Sequence, residues 1–139
     1  LYKDLIFEET HIVLQKGRIS KNTPTLVRVQ QSNLYHDLLN IDEFGTRWSV
    51  SDAMKKINKA GNGIILLIDG DNNKENEFKE IRASKKKRKT IPNNDPRRIG
   101  IGSQILRDLG VKKIKLMGSE VRYPSLSGFD LEVTEYIKK

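Results

Sequence analysis

Five consecutive basic residues, Lys85-Lys86-Lys87-Arg88-Lys89, stand a short way ahead of Asp95, Arg97 and Arg98. A guanidinium can grip a phosphate or carboxylate through two parallel hydrogen bonds. Clustered cations also gain affinity for polyanions by releasing condensed counterions. No aromatic residue interleaves with the run to stack on bases, and no RNA-binding or helix-turn-helix pattern surrounds it. The run is therefore read first as a solvated loop, with nucleotide or polyanion contact, nucleic acid the less favoured case, through Lys85, Lys86, Lys87, Arg88, Lys89, Arg97 and Arg98 as the alternative. Asp95 and Arg97 are the one pair on which a metal-free enzyme could rest, yet no nucleophile, base and orienting group assemble around them. Asp95 directly before Pro96 reads more simply as a helix cap.

Metal chemistry finds few ligands. The chain contains no cysteine, which excludes disulfides and thiolate metal sites. Its two histidines, His11 and His36, fall in no ligand spacing, although His36-Asp37 beside Asp42-Glu43 could catch an adventitious cation. Asp69-Gly70-Asp71 hints at a calcium or magnesium loop, but the register of acidic ligands closing on a Glu is incomplete.

The elements that must hold these residues fit a single domain spanning residues 1–139. No apolar run approaches the roughly 20 residues needed to cross a bilayer, so no membrane partner is expected. Without disulfides, the cytoplasm is the default compartment. The formal net charge is +8, and the basic run supplies a large share of it. The chain opens Leu1-Tyr2-Lys3 rather than on Met, which suggests a fragment of a longer polypeptide.

Period-two alternation and β-branched residues predict antiparallel strands at Leu5-Ile6-Phe7, His11 to Gln15, and Thr25 to Val29, with a turn around Lys16-Gly17-Arg18. Ser49 or Ser51 then caps a helix whose apolar face is Val50, Ala53, Met54, Ile57 and Ala60, closed by Gly61. Ile64 to Ile68 reads as a buried strand, followed by a helix from about Glu75 to Ala83 and a loop from Ser84 to Pro96. Ile101, Ile105, Leu106 and Leu109 mark a helix ending at Gly110, and Lys113 to Met117 alternates as a strand. A last strand from Leu131 to Ile137 places Leu131, Val133 and Ile137 on one face. Early strands followed by helix-strand alternation predict an α/β or α+β domain, a mixed β-sheet flanked by helices.

Arg98-Ile99-Gly100-Ile101-Gly102-Ser103-Gln104-Ile105-Leu106-Arg107-Asp108-Leu109-Gly110-Val111 resembles the "YGIGAQILRDLGV" stretch of GTP cyclohydrolase II. In the same order, Ile12 to Gly17 is similar to an earlier strand and turn of that family, and Leu26-Val27-Arg28-Val29 to its "LVRVH" strand. Gly61 to Leu67 matches its "GRGV.LY" strand, and Gly128-Phe129-Asp130-Leu131-Glu132-Val133 its "GYGLEV" ending. The resemblance covers nearly the whole chain and implies the GTP cyclohydrolase II-like fold.

The family's chemistry is not carried over. Gapless alignment from Arg28-Val29 puts Asn33, Phe44 and Thr46 where the family has the three cysteines of its catalytic zinc. A catalytic zinc needs about three protein ligands and an open position for water. Phe44 has no lone pair, and the oxygens of Asn33 and Thr46 bind zinc far more weakly than thiolate. Where the family carries phosphate-binding arginines, this chain has Asp69 and Asn73. A carboxylate about 5 Å from a phosphate costs about 3 kcal/mol at an effective dielectric of 20. The family's "D.R.YG" motif survives as Asp95, Arg97 and Gly100 with Ile99 in place of tyrosine, so Asp95 and Arg97 are read as vestigial. The family's purine-contacting "TNNP" stretch reads Gly118-Ser119-Glu120-Val121.

The resemblance therefore implies a zinc-free, non-catalytic domain with a role in scaffolding, dimerisation or regulation. Such domains commonly follow a 3,4-dihydroxy-2-butanone 4-phosphate synthase in riboflavin-biosynthesis polypeptides. On that reading the parent is a lyase that uses magnesium in the synthase half, and the domain's partners are that fused half and a second copy.

Overall fold

The computed structural model describes residues 1–6, 8–31, 48–69, 96–120 and 124–139, the side chains of 124 and 125 excepted. Along the chain run β1 (Tyr2–Lys3), β2 (Thr10–Lys16), β3 (Thr25–Gln31), α1 (Val50–Ala60), β4 (Gly63–Ile68), α2 (Pro96–Asp108), β5 (Lys113–Met117), a 3₁₀ turn (Pro124–Phe129) and β6 (Glu132–Ile137). The strands form one mixed six-stranded sheet in the order β1-β2-β4-β3-β5-β6. β4, β3, β5 and β6 run parallel to one another, while β2 runs antiparallel to both β1 and β4. This is the mixed sheet with flanking helices that the sequence predicts.

The residues of β4 alternate between two cores. Ile64, Leu66 and Ile68 pack with Val27, Ile105, Leu106, Val111, Ile114 and Leu131, whereas Ile65 packs with Leu26, Trp48, Ala53, Ile57 and Met117. α2 therefore covers one face and α1 the other. That placement follows from the strand order: β3 to β4 steps one way along the sheet, and β4 to β5 steps back across β3. With both crossovers keeping the usual hand, their helices fall on opposite faces.

α1 begins and ends where its sequence dictates. The Ser49 hydroxyl accepts from the Asp52 amide at 3.0 Å, and Gly61 closes the helix at φ 81° with its amide on the Ile57 carbonyl. Its buried face is narrower than the apolar pattern suggests: Ala53 and Ile57 are buried, but Met54 is 52% exposed and Ala60 is exposed. Gly63 opens β4 beneath this helix. A Cβ there would stand 2.8 Å from both the Leu26 carbonyl oxygen and Ile57 Cγ1, so only glycine lets the strand pass under α1. α2 begins at Pro96, five residues before the first apolar marker, because proline at the first helical position gives up no hydrogen bond. It ends in a Schellman motif, with the Gly110 amide on the Arg107 carbonyl and the Val111 amide on the Leu106 carbonyl.

Three expectations are corrected. The first strand is Tyr2–Lys3 rather than Leu5-Ile6-Phe7; Leu5 and Ile6 lie in a turn, and Phe7 is outside the described residues. The Asp4 carboxylate accepts from the Ile6 amide at 2.7 Å and the Asp4 amide donates to the Glu9 carbonyl at 2.8 Å, which turns the chain before position 5 can extend. The strands β2 and β3 run in opposite senses but are not neighbours, because β4 inserts between them. In β6, Ile114 pairs with Val133 but Lys115 pairs with Glu135, leaving Thr134 as an extra residue whose hydroxyl donates to the Ile114 carbonyl. This bulge flips the following residues, so Ile137 packs on the α1 side while Leu131 and Val133 face α2. The helix expected near 75–83 and the basic loop lie outside the described residues.

Candidate functional site

The parallel strands β3, β4 and β5 end on one edge of the sheet. From that edge β3 connects towards β4 on one side and β5 towards β6 on the other, so a topological switch lies between β3 and β5. Ligands of open α/β sheets settle outside the carboxyl ends of the strands at such a point. Antiparallel β2 starts at the same edge, contributing Glu9, Thr10 and His11, and the first turn of α2 adds Arg97 and Arg98.

These side chains are fixed by one another. Arg97 Nη2 lies 2.7 Å from Glu9 Oε1, an ion pair in which the Glu9 side chain is 15% exposed. Arg98 Nη1 donates to Gln31 Oε1 at 2.6 Å, tying α2 to the end of β3. The Asp69 amide at the end of β4 donates to His11 Nδ1 at 3.1 Å, and His11 is 1% exposed. Because Nδ1 accepts, the neutral ring carries its proton on Nε2. Neither His11 Nε2 nor the second Glu9 oxygen, Oε2, has a hydrogen-bond partner, and both are buried. A ring nitrogen of His11 and one carboxylate oxygen each from Asp4 and Glu9 lie within 4.8 Å of one another.

Arg28 knits the rest of the edge together. Its guanidinium donates to the Met117 carbonyl at 2.9 Å, the Trp48 carbonyl at 3.3 Å and Gln30 Oε1 at 3.3 Å. Trp48 in turn donates from Nε1 to the Ile137 carbonyl at 3.1 Å. Far from this edge, the Tyr2 hydroxyl donates to Asp108 at 2.6 Å and holds β1 against the end of α2. That hydrogen bond, with burial and the carboxylate's charge, pushes the tyrosine up to about 12.

The structure brings Asp69, Arg97 and Arg98 to one edge, and it engages the two arginines with Glu9 and Gln31. Asn33, Phe44 and Thr46, together with Asn73, Asp95, His36 and the run Lys85, Lys86, Lys87, Arg88 and Lys89, lie outside the described residues. Sequence reading missed Asp4, Glu9, His11 and Arg28. The signal for Glu9 and His11 was their spacing of two at the start of a strand, which puts both on one face. For Arg28 it was a charge inside the apolar run Leu26 to Val29.

Comparison with known proteins places the chain in a class. The model of the GTP cyclohydrolase II family matches residues 1–138, and the chain belongs to that family. Among its relatives, the 3,4-dihydroxy-2-butanone 4-phosphate synthases of Pseudomonas aeruginosa and Photobacterium phosphoreum are each 38% identical over 98% of this chain and 38% of their own length. The riboflavin biosynthesis protein RibBA of Aquifex aeolicus is 33% identical over 98% of this chain and 36% of its own. Among solved structures, RibBX, a two domain 3,4-dihydroxy-2-butanone 4-phosphate synthase from A. baumannii, matches with a TM-score of 0.52 and 31% identity, covering 92% of this chain and 31% of that one. The chain spans 31–38% of the length of these proteins. Among the described residues no helix is long and apolar enough to cross a membrane.

The zinc implied by the resemblance does not fit this chain. Its binding rests on thiolates, and the sequence contains none.

Proposed function

We propose that this domain does not open the ring of GTP and serves instead as a scaffolding, dimerising or regulatory domain of a cytoplasmic riboflavin-biosynthesis protein. On this reading the catalytic part of that protein is a magnesium-dependent 3,4-dihydroxy-2-butanone 4-phosphate synthase, fused to this domain and paired with a second copy. The observation that carries the reading is the absence of every cysteine, since Asn33, Phe44 and Thr46 at the aligned positions supply no thiolate, imidazole or carboxylate to hold a zinc ion with an open position for water. Two further features support it. Arg97, which the resemblance links to catalysis, is held by the Glu9 carboxylate at 2.7 Å. Asp69 stands where a phosphate-binding arginine would be.

The alternative, polyanion binding through the basic run with Arg97 and Arg98, is weakened because both arginines already make internal contacts. The test of the main reading is GTP turnover by the purified domain with zinc supplied. No formation of the ring-opened product is expected. Turnover that is abolished by a chelator and restored by zinc would overturn the proposal.

A further inference from the structure

We infer that two copies of this chain pair through two apolar features that its own fold leaves uncovered. The turn between β1 and β2 of one copy seats in the groove between β2 and α1 of the other. This gives a surface to the dimerising role proposed above and rests on that reading.

The turn is the inserted element. Leu5 and Ile6 are 86% and 82% exposed, more than any other large hydrophobic among the described residues except Leu1. They are held outward by local hydrogen bonds, since the Asp4 amide donates to the Glu9 carbonyl and the Ile6 amide to the Asp4 carboxylate. A preformed turn loses little conformational freedom when it docks. Acids flank the apolar pair, with Asp4 before it and exposed Glu8 after it.

The groove receives it. α1 rests on β3 and β4, which leaves the same face of β2 bare beside it. The space between them, about 380 Å³, has Leu14, Met54, Ile57 and Ile65 as its apolar lining, with the exposed Lys16 and Lys55 among the polar groups. Leu14 and Met54 are 39% and 52% exposed, and Ile12, on the same face of β2 as Leu14, is 42% exposed.

Charge selects the occupant. Lys16 is placed at the groove by donating to Asn58 Oδ1. Among the described residues no carboxylate pairs with Lys16 or Lys55, because the Asp52 carboxylate beside Lys55 is taken by Lys139 at 3.0 Å. A groove rimmed by lysines repels its own copy but attracts an apolar element flanked by acids, which is what the turn presents. Turn and groove lie at opposite ends of β2, roughly 20 Å apart at about 3.3 Å per residue, so each copy offers both. A two-fold axis makes the contact twice and closes the pair. Leu5, Ile6, Ile12, Leu14 and Met54 together expose roughly 500 Å² per copy, most of the about 800 Å² that each partner gives to a standard interface.

The test is sedimentation equilibrium of the 139-residue chain at concentrations up to about 100 μM. A mass twice the 16.0 kDa of one chain is expected. Ile6→Glu in the turn and Met54→Glu in the groove should each raise the dissociation constant on the order of ten-fold or more. Both positions are exposed, so circular dichroism should show both variants folded. Reversing the rim with Lys16→Glu and Lys55→Glu should also weaken the dimer, and adding Glu8→Lys should recover part of the loss. A monomer throughout that range, a dimer indifferent to both Ile6→Glu and Met54→Glu, or a reversed rim that Glu8→Lys does not rescue would each overturn the inference. GTP turnover is read on the same protein: a monomer that leaves GTP intact sinks this inference alone, and a dimer that opens GTP sinks only the reading above.

Discussion

Replacing Arg28 by methionine keeps the length of the side chain and removes its charge and donors. Among the described residues, the Arg28 guanidinium donates over 2.9 Å to the Met117 carbonyl and over 3.3 Å to both the Trp48 carbonyl and Gln30. Bonds to a charged donor contribute about 1.5–3 kcal/mol each when well formed. Counting the short bond in full and the longer two at about half gives roughly 4.5 kcal/mol at mid-range. The apolar stem of methionine recovers part of this, so the net loss is about 3 kcal/mol. For a chain of this size that is a fall of about 9 °C in the melting midpoint. Urea unfolding should show the midpoint falling with an unchanged slope. A loss under about 1 kcal/mol would mean that water replaces the guanidinium at these carbonyls and that Arg28 does not hold the edge together.

Other outcomes follow from single contacts. Tyr2 should titrate near 12 in an ultraviolet pH titration, and Tyr2→Phe should remove that step. Its folded value is raised above the ordinary 10.0, so the stability it contributes is present below pH 10 and is lost as pH rises through about 12. Thermal unfolding of wild type and Tyr2→Phe should therefore converge across that window. Gly63→Ala puts a Cβ 2.8 Å from the Leu26 carbonyl oxygen and Ile57 Cγ1. It should cost about 2–3 kcal/mol in denaturant unfolding, as overpacking under a helix does, while alanine at exposed Met54 should change stability by less than about 1 kcal/mol.

Much of the fold was legible because local chemistry and global packing agreed. Ser49 and Gly61 bound α1 through hydrogen bonds made within one turn, and Gly110 ends α2 by the same kind of local contact. The apolar run Ile64 to Ile68 announced a strand buried on both faces. Legibility failed where a turn or a bulge overrode the residue pattern. Leu5 and Ile6 have strand chemistry, but the Asp4 side chain and the Glu9 carbonyl turn the chain first. Ile137 shares a period with Leu131 and Val133, but the bulge at Thr134 reverses its direction. The candidate site divides in the same way: Arg97, Arg98 and Asp69 could be picked out by type, whereas Asp4, Glu9 and His11 gave no ligand spacing along the chain.

By itself, the sequence determined the donor inventory. A chain without cysteine has no thiolate however it folds, and the ordered motifs from Ile12 to Val133 carry the family. Only the tertiary structure decided what the remaining charges do. Inserting β4 between β2 and β3 brings the Asp69 amide to the His11 ring, and the start of α2 carries Arg97 to the Glu9 carboxylate. These contacts join residues 58 and 88 positions apart, and a partner that distant leaves no periodicity in the sequence, since local spacing reports only neighbours on the same element.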